Sequence, residues 1–355
     1  MPKRTYNIIG QMSGTSLDGI DLVYVKIGFK SDHFFEILLA ETIPYSNSWK
    51  ERLSNGFHLK GEALNQLDSD YGSHLAEVIS EFIQRKGISD IDFIASHGHT
   101  IFHKPKEKYT LQIGNGPEIC DRTGIKTICD FRVQDVLLGG QGAPLVPIGD
   151  KLLFSTYTHC LNLGGFANVS YQEKEKRRAF DICPANIVLN HYVAQLDLVY
   201  DPQGENASKG SINKRLLKEL NELNYYKEDA PKSLGYEYVF SEIFPRVDSF
   251  KLNVYDQLRT LVEHIAIQVA IVLNEKPGAC LITGGGAFNE FLIGRIREHS
   301  NNQLVLPNNV IINYKEALIF AFLGYLKNND EINCLKSVTG ASKDHSSGVI
   351  YRPQN

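Results

Sequence analysis

The chain has 355 residues, 43% hydrophobic and 22% charged, with a formal net charge of −4. That length favours two domains, the composition is that of a globular chain with a full core, and the charge argues against a general nucleic-acid-binding surface. No run approaches the roughly 18 apolar residues of a membrane span. No cleavable apolar stretch follows MPKRTYNIIG, so a cytoplasmic protein without a membrane partner is expected. The six cysteines (Cys120, Cys129, Cys160, Cys183, Cys280, Cys334) are scattered without a CxxC pair. They read as small core residues rather than as disulfides or a zinc site.

Three strand candidates open the chain, Tyr6–Met12, Ile20–Ile27 and Phe34–Ile43. In EALNQLDSDYGSHLAEVISEFIQRKG, Leu64, Leu67, Tyr71, Leu75, Val78, Ile79, Phe82 and Ile83 recur at spacings of three and four, predicting a long helix that Gly87 stops. A short buried strand, Phe93–Ser96, follows, then strands at Tyr109–Ile113 and Lys126–Phe131. Hairpin strands, a helix and a further strand predict an α/β unit with a mixed sheet. The glycine-rich stretch LLGGQGAPLVPIGD (Leu137–Asp150) reads as the passage into a second unit, with the glycines of 137–142 as a hinge. That unit repeats the theme: strands at His159–Leu163 and Val169–Gln172, and another ending at Phe180. Helices at about Asn186–Gln195 and at Val254–Asn274, a strand Cys280–Thr283, a last helix Lys315–Lys327 and the tail TGASKDHSSGVIYRP complete it. Strand, glycine turn and strand at the start of each half suggest a structural duplication.

The two turns, GQMSGTSLDGID (Gly10–Asp21) and NLGGFANVS (Asn162–Ser170), each sit between apolar runs. Glycines and hydroxyls at a hairpin tip can aim several backbone N–H groups at one anion, and two such tips would grip a nucleotide's phosphates. Ser13, Gly14, Thr15, Ser16, Asp18 and Gly19 supply the first, and Asn162, Gly164, Gly165 and Asn168 the second. Asp18 and Asp21 are the candidate holders of Mg²⁺, through water. An ordinary hairpin turn would show the same composition. A third turn, TGGGAFNEF, follows a strand and opens a helix, so Gly284, Gly285 and Gly286 suit the remainder of the nucleotide.

Asp181, in RRAFDICPAN, is placed at the C-terminal end of a central strand, where α/β ligands bind. It is either a general base or an N-cap of the next helix, a role open to Asn186 as well. His97, His99 and His103 follow a buried strand in ASHGHTIFHKP, with no acid or cysteine nearby to complete a ligand set. They read as loop histidines or as hydrogen-bonding groups for a substrate. Arg132 could clamp a substrate carboxylate, or pair with Asp130 or Asp135. Glu316 reads as a first-turn helix acid.

In their order, GQMSGTSLDGID, SHGHTIFHKP, LQIGNG, TGIKTICDFRVQD, GGQGAPLVP, NLGGFANVS, PKSLG and TGGGAFN resemble the anhydro-N-acetylmuramic acid kinases of the sugar kinase/hsp70/actin superfamily, from about Gly10 to Ala341. The resemblance implies a two-domain actin-like ATPase (ribonuclease H-like) α/β fold with its active site in the interdomain cleft. Domain I is expected to comprise residues 1–134 with the tail 341–355, and domain II residues 135–340. The implied reaction opens 1,6-anhydro-N-acetylmuramic acid with water and moves the ATP γ-phosphoryl group to O6. Phe180–Asn186 matches the family's FDTGPGN motif, so Asp181 inherits the catalytic role. Ser96, His97, Thr100, Arg132, Asn186 and Glu316 form the expected substrate set, with ATP and Mg²⁺ as cofactors and, by analogy, a homodimer. The chain departs from the family at DICPAN, where Ile182, Cys183 and Ala185 replace a threonine and two glycines. His99 also stands where an amide is usual, and Asn115 where an aspartate is usual. These changes leave open a same-fold kinase of another anhydrosugar, or a nucleotide-dependent binding protein of the actin/hsp70 type.

Overall fold

The computed structural model describes residues 5–14 and 17–354. The chain forms two compact units, Met1–Leu153 with Tyr314–Asn355, and Phe154–Asn313. The strands of the first segment are β1 (Thr5–Ser13), β2 (Gly19–Phe29), β3 (His33–Pro44), β4 (Phe93–Ser96), β5 (His99–Lys104), β6 (Tyr109–Ile113) and β7 (Thr127–Cys129). The second unit carries β8 (His159–Leu163), β9 (Phe166–Glu173), β10 (Lys176–Pro184), β11 (Ala279–Thr283) and β12 (Gln303–Val305). β13 (Val349–Tyr351) returns to the first unit and pairs antiparallel with β7.

The first sheet runs β13-β7-β4-β1-β2-β3, with β5 and β6 a separate hairpin, and the second runs β10-β9-β8-β11-β12. Numbered within each sheet, both contain the order 3-2-1-4-5: an antiparallel three-strand meander, then two parallel strands. This is the duplication that the repeated strand–turn–strand pattern suggested.

Period-two alternation assigns the faces of each sheet. Ile9, Ile20, Leu22 and Ile94 turn to the Gly61–Lys86 helix, meeting Tyr71, Leu75, Ile79 and Phe82 in one buried cluster. On the other face Gly10 lies under the Asn309–Asn328 helix; a Cβ there would come within 2.8 Å of Ala321 Cβ and would strike the Ala317 carbonyl. Only glycine permits so close a helix-to-sheet approach. In the second unit Leu161, Leu163, Ala167, Val169 and Ile182 join Leu258, Val262, Ile265 and Val269 of the Val254–Asn274 helix. Each such fully buried aliphatic side chain contributes about 1.5–3 kcal/mol relative to exposure.

Several expectations need correction. ASHGHTIFHKP is not a loop: His99–Lys104 forms β5, paired with β6. A bulge between Thr100 and Phe102 breaks the period-two pattern of this short strand, which hid it. The helix that carries Glu316 begins at Asn309, so Glu316 lies two turns inside it rather than in its first turn. Residues 135–153 and 314–340 lie in the first unit, whereas the sequence assigned them to the second. The glycine stretch is not the crossing point either: Gly140 N and Gly142 N bond to the backbone carbonyl and side-chain carboxylate of Asp135, and Gln141 N bonds to Thr339 O. Tied within the first unit, it is unsuited to act as a hinge between the two.

Candidate active site

In the second unit the sheet register builds a polar row. Thr283, Asn162, Asn168 and Asp181 are successive partners across β11, β8, β9 and β10. Residues directly paired across strands share a face. The row therefore lies on the face opposite Leu161, Leu163, Ala167, Val169 and Ile182, which enter the core.

Asp181 sits inside β10, not at its end, and β10 is the edge of the sheet rather than a central strand. The strand continues to Pro184 through a register shift between Asp181 and Cys183. Such a bulge re-aims side chains. The free edge is covered by the PKSLG segment: Asp181 N donates to Lys232 O at 3.2 Å, and Leu234 N donates to Asp181 Oδ2 at 2.9 Å. Tyr225 OH donates to the Asp181 carbonyl at 2.6 Å, and Lys232 Nζ donates to the carbonyls of Tyr225 and Glu228. One carboxylate oxygen is thus fixed by a backbone donor while Oδ1 remains available to a ligand. Burial raises the Asp181 pKa above its usual value, and the Leu234 N–H opposes this. A carboxylate so held is a stronger base than an exposed aspartate. The capping alternative falls away, because the N-cap of the Asn186–Val193 helix is Ala185 and no side chain caps it.

The two glycine turns of this unit meet at Asn186. Its Nδ2 donates to Leu163 O at 3.0 Å and its backbone N to Gly164 O at 3.1 Å, while Ala185 N and Ile187 N donate to Gly165 O. Gly284 has φ 84°, and a Cβ on it would lie 2.9 Å from Leu163 O. The turn therefore requires glycine twice over, for conformation and for space. Gly165 and Gly285 are exposed at the tips. The third turn does not open directly into a helix: Gly285–Phe288 is a short 3₁₀ turn, and the Glu290–His299 helix is capped separately by Asn289. Ile182, Cys183 and Ala185, the departures from the family motif, are all buried in the core cluster. Burial and the nearby Asp181 charge push the Cys183 thiol far up, so it fills space as an unreactive thiol.

The first unit gathers a second group. Gln11 Oε1 accepts from Ser96 Oγ at 2.7 Å and from Gly98 N at 3.1 Å. Ser96 is thereby satisfied below the surface and positions the turn rather than facing a ligand. His97, buried against Phe320 with ring centroids 4.4 Å apart, accepts at Nε2 from Arg132 Nε (3.1 Å) and Nη2 (3.0 Å). Since guanidinium only donates, the imidazole proton belongs on Nδ1, which faces Gly98 O at 3.1 Å. Burial and then the Arg132 charge hold His97 well below its usual pKa, so it is neutral. Arg132 also donates from Nη1 to Gly142 O at 2.8 Å. Its donors go to His97 and Gly142, rather than to Asp130 or Asp135. Burial lowers it to about 10, which leaves it a cation at neutral pH.

Beside these residues, Ser13 Oγ lies 2.6 Å from Tyr45 OH and 2.9 Å from His99 Nδ1, and Tyr45 OH in turn meets Tyr71 OH. Ser13 is thus consumed beneath its turn and is not free to cap a phosphate. Burial takes His99 down to about 4. His99 and Thr100 line a cavity of about 230 Å³ with Leu17, Leu53, Ser54 and Phe57, and Gln112 Nε2 donates to Thr100 Oγ1 at 3.3 Å. Asp21 accepts from Thr42 Oγ1 at 2.6 Å; burial raises its pKa and the neighbouring Asp18 raises it further. A pair of neighbouring carboxylates of this kind fits a divalent cation held through water. Gly14 accepts from Leu17 N, Gly19 is buried against β3, and Thr15 and Ser16 lie outside the described residues. Glu316 projects with exposed surface within the fields of Arg132, Lys315 and Asp21. Lys315 is committed to a buried ion pair with Asp150 at 2.7 Å.

Comparison with known proteins decides the family. The profile of AnmK, anhydro-N-acetylmuramic acid kinase, matches residues 6–353. The chain belongs to the anhydro-N-acetylmuramic acid kinase family. It is 32% identical to the anhydro-N-acetylmuramic acid kinase of Hydrogenovibrio crunogenus, covering 99% of each chain. It is 34% identical to that of Vibrio cholerae, with 97% of this chain and 98% of the relative covered. Among solved structures, a ligand-bound xylulose kinase from Lactobacillus acidophilus is similar with a TM-score of 0.46 and 12% identity, over 98% of this chain and 94% of that one.

Sequence reasoning missed three parts of the candidate site: Leu234 and Lys232, Gln11, and the tyrosines Tyr45 and Tyr71. PKSLG was visible as a family motif, but nothing in it showed that its backbone would bond the edge of β10. Gln11 lies within the first glycine turn's own motif, and only the parallel pairing Gln11↔Ser96 reveals its role.

Proposed function

We propose that this chain cleaves 1,6-anhydro-N-acetylmuramic acid with water and transfers the γ-phosphoryl group of ATP to O6, giving N-acetylmuramic acid 6-phosphate in peptidoglycan recycling. The observation that carries the reading is the Asp181 carboxylate, anchored at Oδ2 and available at Oδ1, in one polar row with Asn168 and Asn162 and on the unit that holds two glycine turns. Membership of a kinase family over nearly the whole chain supports the same reading and disfavours a binding protein without sugar chemistry.

Asp181 takes a proton from the water that attacks C1, as the base of an inverting glycosidase does. Cleavage of the anhydro bond frees O6, which then attacks the γ-phosphoryl group, so the leaving group of one step is the nucleophile of the next. The exposed backbone of Gly165 and Gly285, beside the half-buried Gly164 and Gly284, suits the approach of nucleotide phosphates. Asp18 and Asp21 would hold Mg²⁺ through water, and the ion would supply charge neutralisation for the phosphates. Arg132, held by His97, meets the lactyl carboxylate, and Thr100 borders the cavity that receives an apolar substituent of the sugar. Ile182, Cys183 and Ala185 lie in the core, so the altered motif leaves the ligand-facing Asp181 in place and the sugar unchanged.

ADP release with Mg-ATP should be much faster with 1,6-anhydro-N-acetylmuramic acid than with anhydrosugars lacking the lactyl group. Equal or faster turnover with another anhydrosugar would overturn this reading, as would slow ATP hydrolysis indifferent to any sugar.

A further inference from the structure

The returning tail of the first unit assembles a buried set of three donors that the sugar chemistry does not use: Asp135, Cys334 and His345, whose ligand atoms all lie within 4.8 Å of one another. The backbone makes this meeting obligatory. Cys334 N donates to His345 O at 3.0 Å and His345 N to Cys334 O at 3.2 Å, so the two are direct antiparallel partners with side chains on one side. Asp135 comes from the Val133–Leu137 helix and is fixed at both oxygens, Oδ1 accepting from Thr339 Oγ1 and Oδ2 from Gly142 N, each at 2.7 Å.

His345 supplies the decisive geometry. Its Nδ1 lies 3.1 Å from Lys343 O, a carbonyl that can only accept, so the ring proton belongs on Nδ1. Nε2 then carries a lone pair, has no hydrogen-bond partner, and points at Asp135 Oδ1 from 3.5 Å in a residue only 5% exposed. Two buried acceptors facing each other are unfavourable unless a proton or a metal ion stands between them. A histidine whose far nitrogen donates to a backbone carbonyl is the usual arrangement of a metal ligand. The separation of 3.5 Å is close to the spacing of two tetrahedral ligands about 2.0–2.1 Å from zinc.

We propose that Asp135, Cys334 and His345 bind one Zn²⁺, which ties the tail to the Val133–Leu137 helix. The donor set is one carboxylate, one thiolate and one neutral imidazole, whose charge of −2 matches a divalent ion and whose sulfur and nitrogen exclude Mg²⁺ and Ca²⁺. The Ser347 hydroxyl lies beside the thiol and is the nearest candidate for a fourth ligand. On binding, the S–H bond breaks, the S–Zn bond forms and the proton passes to solvent. The site is independent of the proposed sugar chemistry, but it braces Gly142, whose carbonyl receives Arg132.

The test uses the full chain, dialysed against a chelator and titrated with Zn²⁺ in competition with a chromogenic chelator. The expected result is one zinc per chain, with Cys334→Ser and His345→Ala each weakening binding at least tenfold and the surface variant His58→Ala leaving it unchanged. Co²⁺ on the wild-type chain should add a thiolate-to-cobalt charge-transfer band and tetrahedral d–d bands, a readout that needs no variant to fold. No stoichiometric zinc binding, binding unaffected by Cys334→Ser and His345→Ala, or cobalt bound without the thiolate band would overturn the proposal. The first of these would mean that His345 and Asp135 form only a protonated ion pair.

Discussion

Leu234 donates its backbone N–H to Asp181 Oδ2 at 2.9 Å, while Asp181 N donates to Lys232 O at 3.2 Å. A segment distant in sequence thereby closes the free edge of β10 and orients a carboxylate that no neighbour within its own strand could hold. The half-buried position leaves Asp181 one oxygen for chemistry, at the cost of ionising it in a poor solvent.

Asp181→Asn should keep the Leu234 bond, because the amide oxygen still accepts, and remove the base. The expected loss in turnover is about 10²–10⁴-fold, the usual worth of a positioned general base. Folding should be unharmed. The native pKa of Asp181 is raised, so the folded state binds this proton more tightly than the unfolded state, and the ionised carboxylate costs stability at neutral pH. The variant should therefore melt no lower than the wild type, as calorimetry would show. A large drop in Tm would assign Asp181 a structural role.

The same burial sets a pH dependence. Asp181 must be ionised to act, so kcat/KM should fall as pH drops through its pKa, with an acidic limb above the 3.8 of an ordinary aspartate. A rate profile flat down to pH 4 would contradict the assignment.

Arg132→Glu should raise the KM for the sugar far more than the KM for ATP, because the guanidinium is assigned to the lactyl carboxylate. His97→Phe should produce a milder version of the same split. It removes the acceptor of two Arg132 donors while preserving the packing on Phe320. Steady-state kinetics with each substrate varied would check both; equal effects on the two KM values would refute the role of Arg132.

Glu263 anchors a network in the second unit that should govern acid stability. Burial alone would raise its pKa, but hydrogen bonds from Arg295, Arg259 and His299 take it down to about 2. With a depressed folded value, its contribution is complete above the unfolded value of about 4.5 and is lost as pH falls towards 2. Glu263→Ala strands two arginines in a largely buried site and should cost about 3 kcal/mol, measured by denaturant unfolding near neutral pH. A loss below about 0.5 kcal/mol would show the network to be an ordinary surface cluster.

Much of the fold was legible where one periodicity dominated. The ranges Phe93–Ser96, Tyr109–Ile113, His159–Leu163 and Val254–Asn274 follow directly from runs of apolar residues bounded by breakers, and the structure has the same ranges. Strand β5 was not legible, because histidines at its polar positions look like a substrate loop. The position of β10 at an edge was not legible either, because pairing order depends on contacts far apart in sequence. At the site, the glycine turns and Asp181 could be named from local pattern and family resemblance. The state of each polar group could not: Ser13, Ser96 and His97 are consumed by buried partners, and only three-dimensional proximity decides which hydroxyl or imidazole is left for a ligand. Likewise nothing in DICPAN distinguishes a thiol facing the sugar from one in the core, where Cys183 lies.

On this reading one enzyme couples hydrolysis at C1 to phosphoryl transfer at O6. The most direct measurement is turnover of 1,6-anhydro-N-acetylmuramic acid with Mg-ATP in ¹⁸O-water, followed by mass analysis of the product. Coupled chemistry predicts a sugar 6-phosphate carrying one heavy oxygen, at C1, in equal amount to the ADP released. ADP without a labelled sugar phosphate, or phosphorylated sugar without ¹⁸O, would contradict it.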